Sequence, residues 1–243
     1  GHAPGAVWMR IGGEDGLLYT GDISAESLMF RASLPPRAAA MVLDASYGLA
    51  AGPLRDQIAA ITDLVDGPVL FPSPAGGRGL EIAATFLRLG LPVSICLAHR
   101  RVAATLAAHM DWLTPEGRRD LALLDGAGDL TADAPLHGVM VAAGPNVERG
   151  TAQALALRIA VSGGARIIFT GHVAHGSPAE ALITQGHAEF RRWNVHPPFA
   201  EASALVAAVA PRTMLAAFCD PDTLATLRSR TDWPIAPGES LIW

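Results

Sequence analysis

The chain contains no lysine: its 18 basic residues are all arginine, set against 23 acidic ones. In a sequence rich in Ala, Gly and Pro this is a compositional bias and not a mechanism. The net charge of −5 argues against a surface that coats nucleic acid through general positive charge. A phosphodiester enzyme stays compatible with that charge, because metal ions and a local arginine cluster can hold a phosphate. Cysteine is scarce too. Cys96 and Cys219 both sit in apolar strand-like runs, which is no disulfide framework, so a reducing cytoplasm is the expected compartment. No apolar run reaches the roughly 18 residues of a membrane span, and no charged-then-apolar leader is read at the start. Aromatic residues make up only 6% and charged residues 17%, whereas half of the 243 residues are hydrophobic. That is enough for a sizeable core in one large domain or two modest ones.

Short apolar runs bounded by Gly, Pro, Asp or Arg predict strands over Val7–Ile11, Leu17–Thr20, Ala40–Leu43, Pro68–Phe71, Pro92–Leu97, Gly138–Ala142, Arg166–Thr170, His187–Trp193, Thr213–Phe218 and Ser240–Trp243. Between them lie predicted helices over Pro53–Val65, Gly76–Leu89, Arg101–Asp111, Gly150–Ser162, Pro178–Thr184, Phe199–Val209 and Pro221–Arg228. Thr114–Pro135 has weak periodicity and reads as a helix hairpin or a long loop. Strand and helix alternate from about residue 50 to 220, which predicts parallel sheet covered by helices, an α/β class. The first 45 residues read as an antiparallel strand–turn–strand, with Gly12-Gly13-Glu14-Asp15-Gly16 as the turn. Polar and glycine-rich segments follow several strands, and in open α/β sheets ligands bind at those ends.

Chemistry-bearing residues gather at such ends. His2 precedes a strand and Asp22 follows one, so a hairpin can bring imidazole and carboxylate to one edge, as a hydrolytic metal site requires. The bland alternative is a terminal His and a turn Asp. Asp44 closes an apolar strand and leads into Ser-Tyr-Gly, where a carboxylate caps a helix, holds a turn or serves a site. His196, ahead of two prolines, is held extended and can bind phosphate or act as acid or base. His172 and His175 form a His-x-x-His in a loop, for which a structural role comes first. Arg78 and Arg149 lie in Gly-rich loops at strand ends, where either can hold a phosphate.

Taken together these segments resemble the metallo-β-lactamase superfamily, in its β-CASP branch of RNA- and DNA-processing nucleases. Gly1-His2-Ala3-Pro4-Gly5-Ala6 resembles the branch's third metal motif and Tyr19-Thr20-Gly21-Asp22 its fourth, which makes His2 and Asp22 metal ligands. Leu43-Asp44-Ala45-Ser46-Tyr47-Gly48 resembles the element that carries the branch's acidic residue, here Asp44. Phe71-Pro72-Ser73-Pro74-Ala75 with Gly77-Arg78 and Glu81 resembles the segment that opens the cap domain. It adds Ser73 to Arg78 and Arg149 as phosphate-binding candidates. Ile168-Phe169-Thr170-Gly171 with Gly176-Ser177-Pro178 resembles a strand and loop of that cap. Trp193-Asn194-Val195-His196 resembles the element whose histidine touches the scissile phosphate.

Three departures stand beside the likeness. The branch carries a His-x-His-x-Asp-His motif upstream of the His2 position, and this chain begins after it. Phe218 stands where the branch has a histidine at a strand end, with Asp220 two residues on. Ala143-Gly144-Pro145-Asn146 replaces a serine-rich turn.

The resemblance implies an α/β fold: the C-terminal part of a metallo-β-lactamase αββα sandwich (residues 1–51 and 185–243) with an inserted β-CASP parallel-sheet domain (52–184). It implies a metal-dependent phosphodiester hydrolase, a nuclease or exonuclease acting on RNA or single-stranded DNA with two zinc ions in the complete family. Asp44 and His196 would be its catalytic residues, and Asp220, His172 and His175 are doubtful further ligands. This chain is expected to be inactive alone. A homodimer, or a partner chain supplying the N-terminal half, is the expected assembly. The alternative is a metal-free pseudoenzyme, or the nucleic-acid- or partner-binding half of a split protein, and Phe218 with the acidic charge favours it. A module for a small phosphorylated ligand, resting only on the Gly-rich strand ends, ranks last.

Overall fold

In the computed structural model, which describes residues 1–242, the chain is a mixed α/β protein with two compact units. One comprises Gly1–Ser27, Arg31–Pro53 and the residues from Asn194 onward; the other comprises Leu28–Phe30 and Leu54–Trp193. In chain order the strands are β1 (Met9–Ile11), β2 (Leu17–Tyr19), β3 (Ala40–Asp44), β4 (Val69–Ser73), β5 (Val93–Ile95), β6 (Gly128–Asp129), β7 (Val139–Ala143), β8 (Arg166–Phe169), β9 (Glu189–Phe190) and β10 (Thr213–Ala217). The helices are α1 (Leu54–Thr62), α2 (Arg78–Arg88), α3 (Leu97–Ala107), α4 (Pro115–Leu123), α5 (Gly150–Ser162), α6 (Pro178–Thr184), α7 (Phe199–Val209) and α8 (Pro221–Arg230). Among the described residues no helix is long and apolar enough to cross a membrane.

The first unit holds a four-stranded sheet in the order β1-β2-β3-β10. β1 and β2 are antiparallel, as the glycine-rich turn requires, and β3 runs parallel to both β2 and β10. Side chains alternate between the faces of a strand. Leu18, Met41, Leu43 and Met214 therefore share one face, where they form a core with Ala202, Leu205, Val206 and Val209 of α7. The opposite face reads Met9, Tyr19, Val42 and Leu215 across the sheet, with Ile11 and Leu17 in the next row. It is apolar too, yet Met9 and Ile11 are more than half exposed.

The second unit is built on a six-stranded sheet, β6-β5-β7-β4-β8-β9, with every pair parallel. Its central strand β4 is buried along its whole length, as helix-covered parallel strands are. Pro72 fits there because the ladder to β8 ends at Leu70, before the residue that has no N–H to give.

Several elements depart from the sequence reading. The predicted strand Pro92–Leu97 ends at Ile95, and α3 starts four residues before the predicted Arg101, because the chain turns sharply at Cys96. Thr114–Pro135 contains a real helix, α4, started by Pro115 and by Thr114, whose hydroxyl accepts the Gly117 N–H at 2.8 Å. The two-residue edge strand β6 follows it. His187–Trp193 shrinks to β9. Residues 240–242 form no strand, and Trp243 lies outside the described residues.

The predicted boundary at 184/185 also differs from the division into units, which falls at 193/194. Trp193 is fully buried in the second unit. Its backbone N–H donates to Thr170 O at 3.0 Å and its indole N–H to Glu81 Oε2 at 3.3 Å. Leu28–Phe30 joins the same unit: Thr114 N–H donates to Met29 O at 3.0 Å, and Phe30 bridges to Leu113.

Candidate metal centre

Asp44 is the hub of a polar group in the first unit. It ends β3 with no exposed surface. Its Oδ1 accepts the Ser46 N–H at 3.1 Å and the Ser46 hydroxyl at 2.6 Å, and its Oδ2 lies 3.2 Å from the Ile23 N–H and 2.7 Å from His196 Nδ1. Burial pushes the Asp44 carboxyl up. The hydrogen bond and charge of His196, with the Ser46 donors, outweigh it and hold the group below the usual carboxylate range. Asp44 is therefore an anion that orients a ring, not an acid ready to release a proton at neutral pH.

His196 owes its position to its neighbours. The Val195 N–H donates to the Tyr47 hydroxyl at 3.2 Å, and Asn194 Nδ2 donates to Glu26 Oε2 and Gly52 O, both at 2.9 Å. Pro197 and Pro198 hold the chain extended on the other side. The Tyr47 ring stands nearly perpendicular to the imidazole at a centroid distance of 5.2 Å. Because a carboxylate only accepts, Nδ1 of His196 carries the proton and Nε2 is left to act.

The same logic applies to His2. Its Nδ1 donates to the Val195 carbonyl at 2.6 Å, and its Nε2 lies 3.6 Å from Asp22 Oδ2. Burial lowers the His2 pKa, as does the charge of His196, against the opposing pull of the Val195 carbonyl and of Asp22 and Asp44. His2 is thus held as a neutral imidazole, the form that ligates metal. The two rings lie 4.8 Å apart. One ligand atom each from His2, Asp22 and His196 falls within 4.8 Å of the others, the one such cluster among the described residues. Two ligands of a tetrahedral ion lie roughly 3.4 Å apart, so the His2–Asp22 edge already fits and His196 needs a small inward shift. The donor set, two imidazoles and a carboxylate, suits one zinc-like cation with an open position. Each ring is oriented through its other nitrogen, as metal-ligating histidines are.

Other candidates fall elsewhere. Asp220 caps α8, accepting the Thr223 N–H at 2.7 Å and its hydroxyl at 3.0 Å. Phe218 follows β10, whose last residue, Ala217, pairs with Asp44. It is half exposed and strained at φ +62°, a conformation that a bulky residue rarely adopts. In the second unit, His172 is exposed and His175 is a surface partner of Glu180 at 3.1 Å; neither belongs to the cluster. Arg149 is exposed at the start of α5, whereas Arg78 and Ser73 are buried. Arg78 packs its guanidinium so closely on Gly171 that a Cβ there would collide with it. The buried Ser73 Oγ finds no hydrogen-bond partner among the described residues, and neither does Thr170 Oγ1.

Sequence reasoning missed Glu201, on the first turn of α7. Its Oε1 accepts the Ala25 N–H at 2.5 Å. Burial, with the charge of Glu26 added and the Ala25 N–H opposing, pushes its carboxyl up to about 7. An acid at the start of a helix reads as an N-terminal charge, and no local signal reveals a partner 176 residues away. No protein-family model matches this chain, and neither does any curated protein.

Proposed function

We propose that this chain is the metal-holding and phosphate-facing part of a metallo-β-lactamase-type, β-CASP-like phosphodiester hydrolase, with RNA or single-stranded DNA as its substrate. The carrying observation is the pair of imidazoles whose Nδ1–H groups are fixed on Val195 O and Asp44, with His2 Nε2 3.6 Å from Asp22 Oδ2 and one ligand atom each of His2, Asp22 and His196 within 4.8 Å of the others. A zinc-like ion bound to His2, Asp22 and His196 would supply Lewis acidity toward a phosphate ester and a nucleophile at neutral pH. Asp44 fixes the orientation of the His196 ring through Nδ1. A neutral His196 offers a lone pair to a cation; a protonated one offers an N–H to a phosphate oxygen. The first unit's sheet, covered by α7 on one face and apolar on the other, supports its reading as one half of a two-sheet sandwich. The six-stranded parallel sheet supports the reading of the second unit as the inserted domain.

The described residues offer ligands for one ion and none for a second. The chain alone should therefore bind zinc without hydrolysing a fluorogenic single-stranded RNA or DNA. A hydrolysis rate that depends on zinc and survives His2→Ala would place the chemistry elsewhere.

A second reading, a metal-free binding half, is favoured by Phe218 and by the exposed Met9 and Ile11. An apolar face of this kind is expected to be covered by a partner chain or a second copy. Sedimentation at rising concentration should show self-association, and Met9→Glu/Ile11→Glu should abolish it. Phe218→His tests the metal side, since His tolerates positive φ better than Phe. It should raise zinc affinity by about tenfold; unchanged affinity would remove that strand end from the metal reading.

A further inference from the structure

The second unit carries a reactive pair that the proposed hydrolase does not use. Cys96 stands at the turn from β5 into α3, at the helix N-cap. Its Sγ lies 3.2 Å from Nδ1 of His99 and accepts the Ala143 N–H at 3.2 Å. Both side chains are buried, Cys96 to 3% and His99 to 0% exposure. Nε2 of His99 is 3.2 Å from the Pro74 carbonyl, which only accepts, so Nε2 carries a proton. Any further proton must then lie between Nδ1 and Sγ, on a thiol facing an imidazole or on an imidazolium facing a thiolate. Two features favour the ionic form: the Ala143 N–H bonds an anion more strongly than a thiol, and the positive end of α3 lies at Cys96. The ring's seat depends on Gly79, where a Cβ would run into both His99 Nε2 and the Pro74 carbonyl.

We propose that Cys96 and His99 form a thiolate–imidazolium pair and that Cys96 is the peroxide-reactive thiol of this chain, oxidised by small hydroperoxides to the sulfenic acid. The sulfur attacks one peroxide oxygen; the S–O bond forms as the O–O bond breaks. Sulfur loses two electrons and the peroxide gains them. The departing hydroxide or alkoxide takes the Nδ1 proton of His99 and leaves as water or alcohol, with a neutral imidazole behind. Burial of Cys96 favours small oxidants over bulky disulfide reagents.

Cys219 is an internal reference of opposite character. Burial and the charge of Asp220 push its thiol up. At Cys96, burial acts in the same direction, but the bond and charge of His99, with the Ala143 N–H, outweigh it and bring the thiol down to about 6.

The test is hydrogen peroxide on the folded full chain, quenched with catalase and then unfolded in dimedone so that both sulfenic acids are equally reachable, with each cysteine quantified by peptide mass spectrometry. At a pH near 6, about half of Cys96 and roughly a thousandth of an ordinary thiol is thiolate. Allowing for the lower nucleophilicity of a more acidic thiol, Cys96 should be labelled about twentyfold faster than Cys219. His99→Gln should remove that advantage. The thiolate absorbance of Cys219→Ser supplies a reading that leaves the pair intact, and it should rise through pH 6. Faster labelling of Cys219, or a Cys96 absorbance that rises only near pH 9, would overturn the pair.

Discussion

Zinc titrated into the native chain is expected to saturate at about one ion per molecule, and His2→Ala is expected to abolish that binding. The reason lies in how few groups converge. With two nitrogens and one carboxylate on offer, no spare ligand among the described residues can replace His2. Asp44→Asn is the more discriminating change. Asn can still accept from His196 Nδ1, but it loses the charge that holds the ring and turns an NH2 toward a site already crowded with donors from Ile23 and Ser46. A loss of about 10–100-fold in zinc affinity is expected, without loss of the ion-to-chain ratio. The pH dependence has a defined sign. Because burial holds the His2 pKa below the ordinary histidine value, protons compete for Nε2 only at lower pH than in a free histidine. Zinc affinity should therefore persist as pH falls through the usual histidine range and decline below it. Calorimetric titration of the native chain and both variants at several pH values checks all four expectations. No zinc uptake by a natively folded chain would end the metal reading.

The largest loss of stability is expected from Trp193→Ala, about 3–5 kcal/mol. Trp193 is among the largest fully buried side chains, and its indole N–H reaches Glu81 Oε2. Glu81 is itself buried, and its Oε1 accepts the Met29 N–H at 3.3 Å. Truncation would therefore open a ring-sized cavity and take a donor from a buried carboxylate. Trp193→Phe separates the two effects: it keeps most of the packing and loses the indole donor, for an expected cost of about 1–3 kcal/mol. Chemical denaturation measures both. A loss under about 1 kcal/mol for the alanine variant would mean that the site collapses around the gap.

The strand–helix alternation and the parallel sheets were legible because a parallel strand buried on both faces is an unbroken apolar run, and α5, α6 and α7 have the predicted limits. Ends governed by a single turn were less so. Cys96 reads as a strand residue in sequence, and only the fold shows that the chain bends there into α3. Thr114-Pro115 is a helix start in hindsight, but the weak apolar period behind it hid α4. At the candidate centre, His2, Asp22, Asp44 and His196 could be named from local patterns. Their grouping could not, since His196 meets Asp44 across 152 residues and His2 meets Val195 across 193. Roles set by burial, such as the raised pKa of Glu201 or the enclosure of Ser73 and Arg78, leave no trace in spacing.

The pairing of β10 with β3 sets an order on how the molecule is made. Ala40 is made well before its partner Thr213, with nearly all of the six-stranded unit encoded between them. Closing so long a flexible loop is entropically costly and slow. A second unit that folds as soon as it is complete turns most of that loop into a compact body. Until residue 209 is available, β1, β2 and β3 lack α7 to cover one apolar face, and until residue 217 they lack β10 at the edge of β3. The nascent chain thus passes through a stage in which β1, β2 and β3 stand with their apolar faces uncovered, and a chaperone or a waiting partner would have much to gain by binding there.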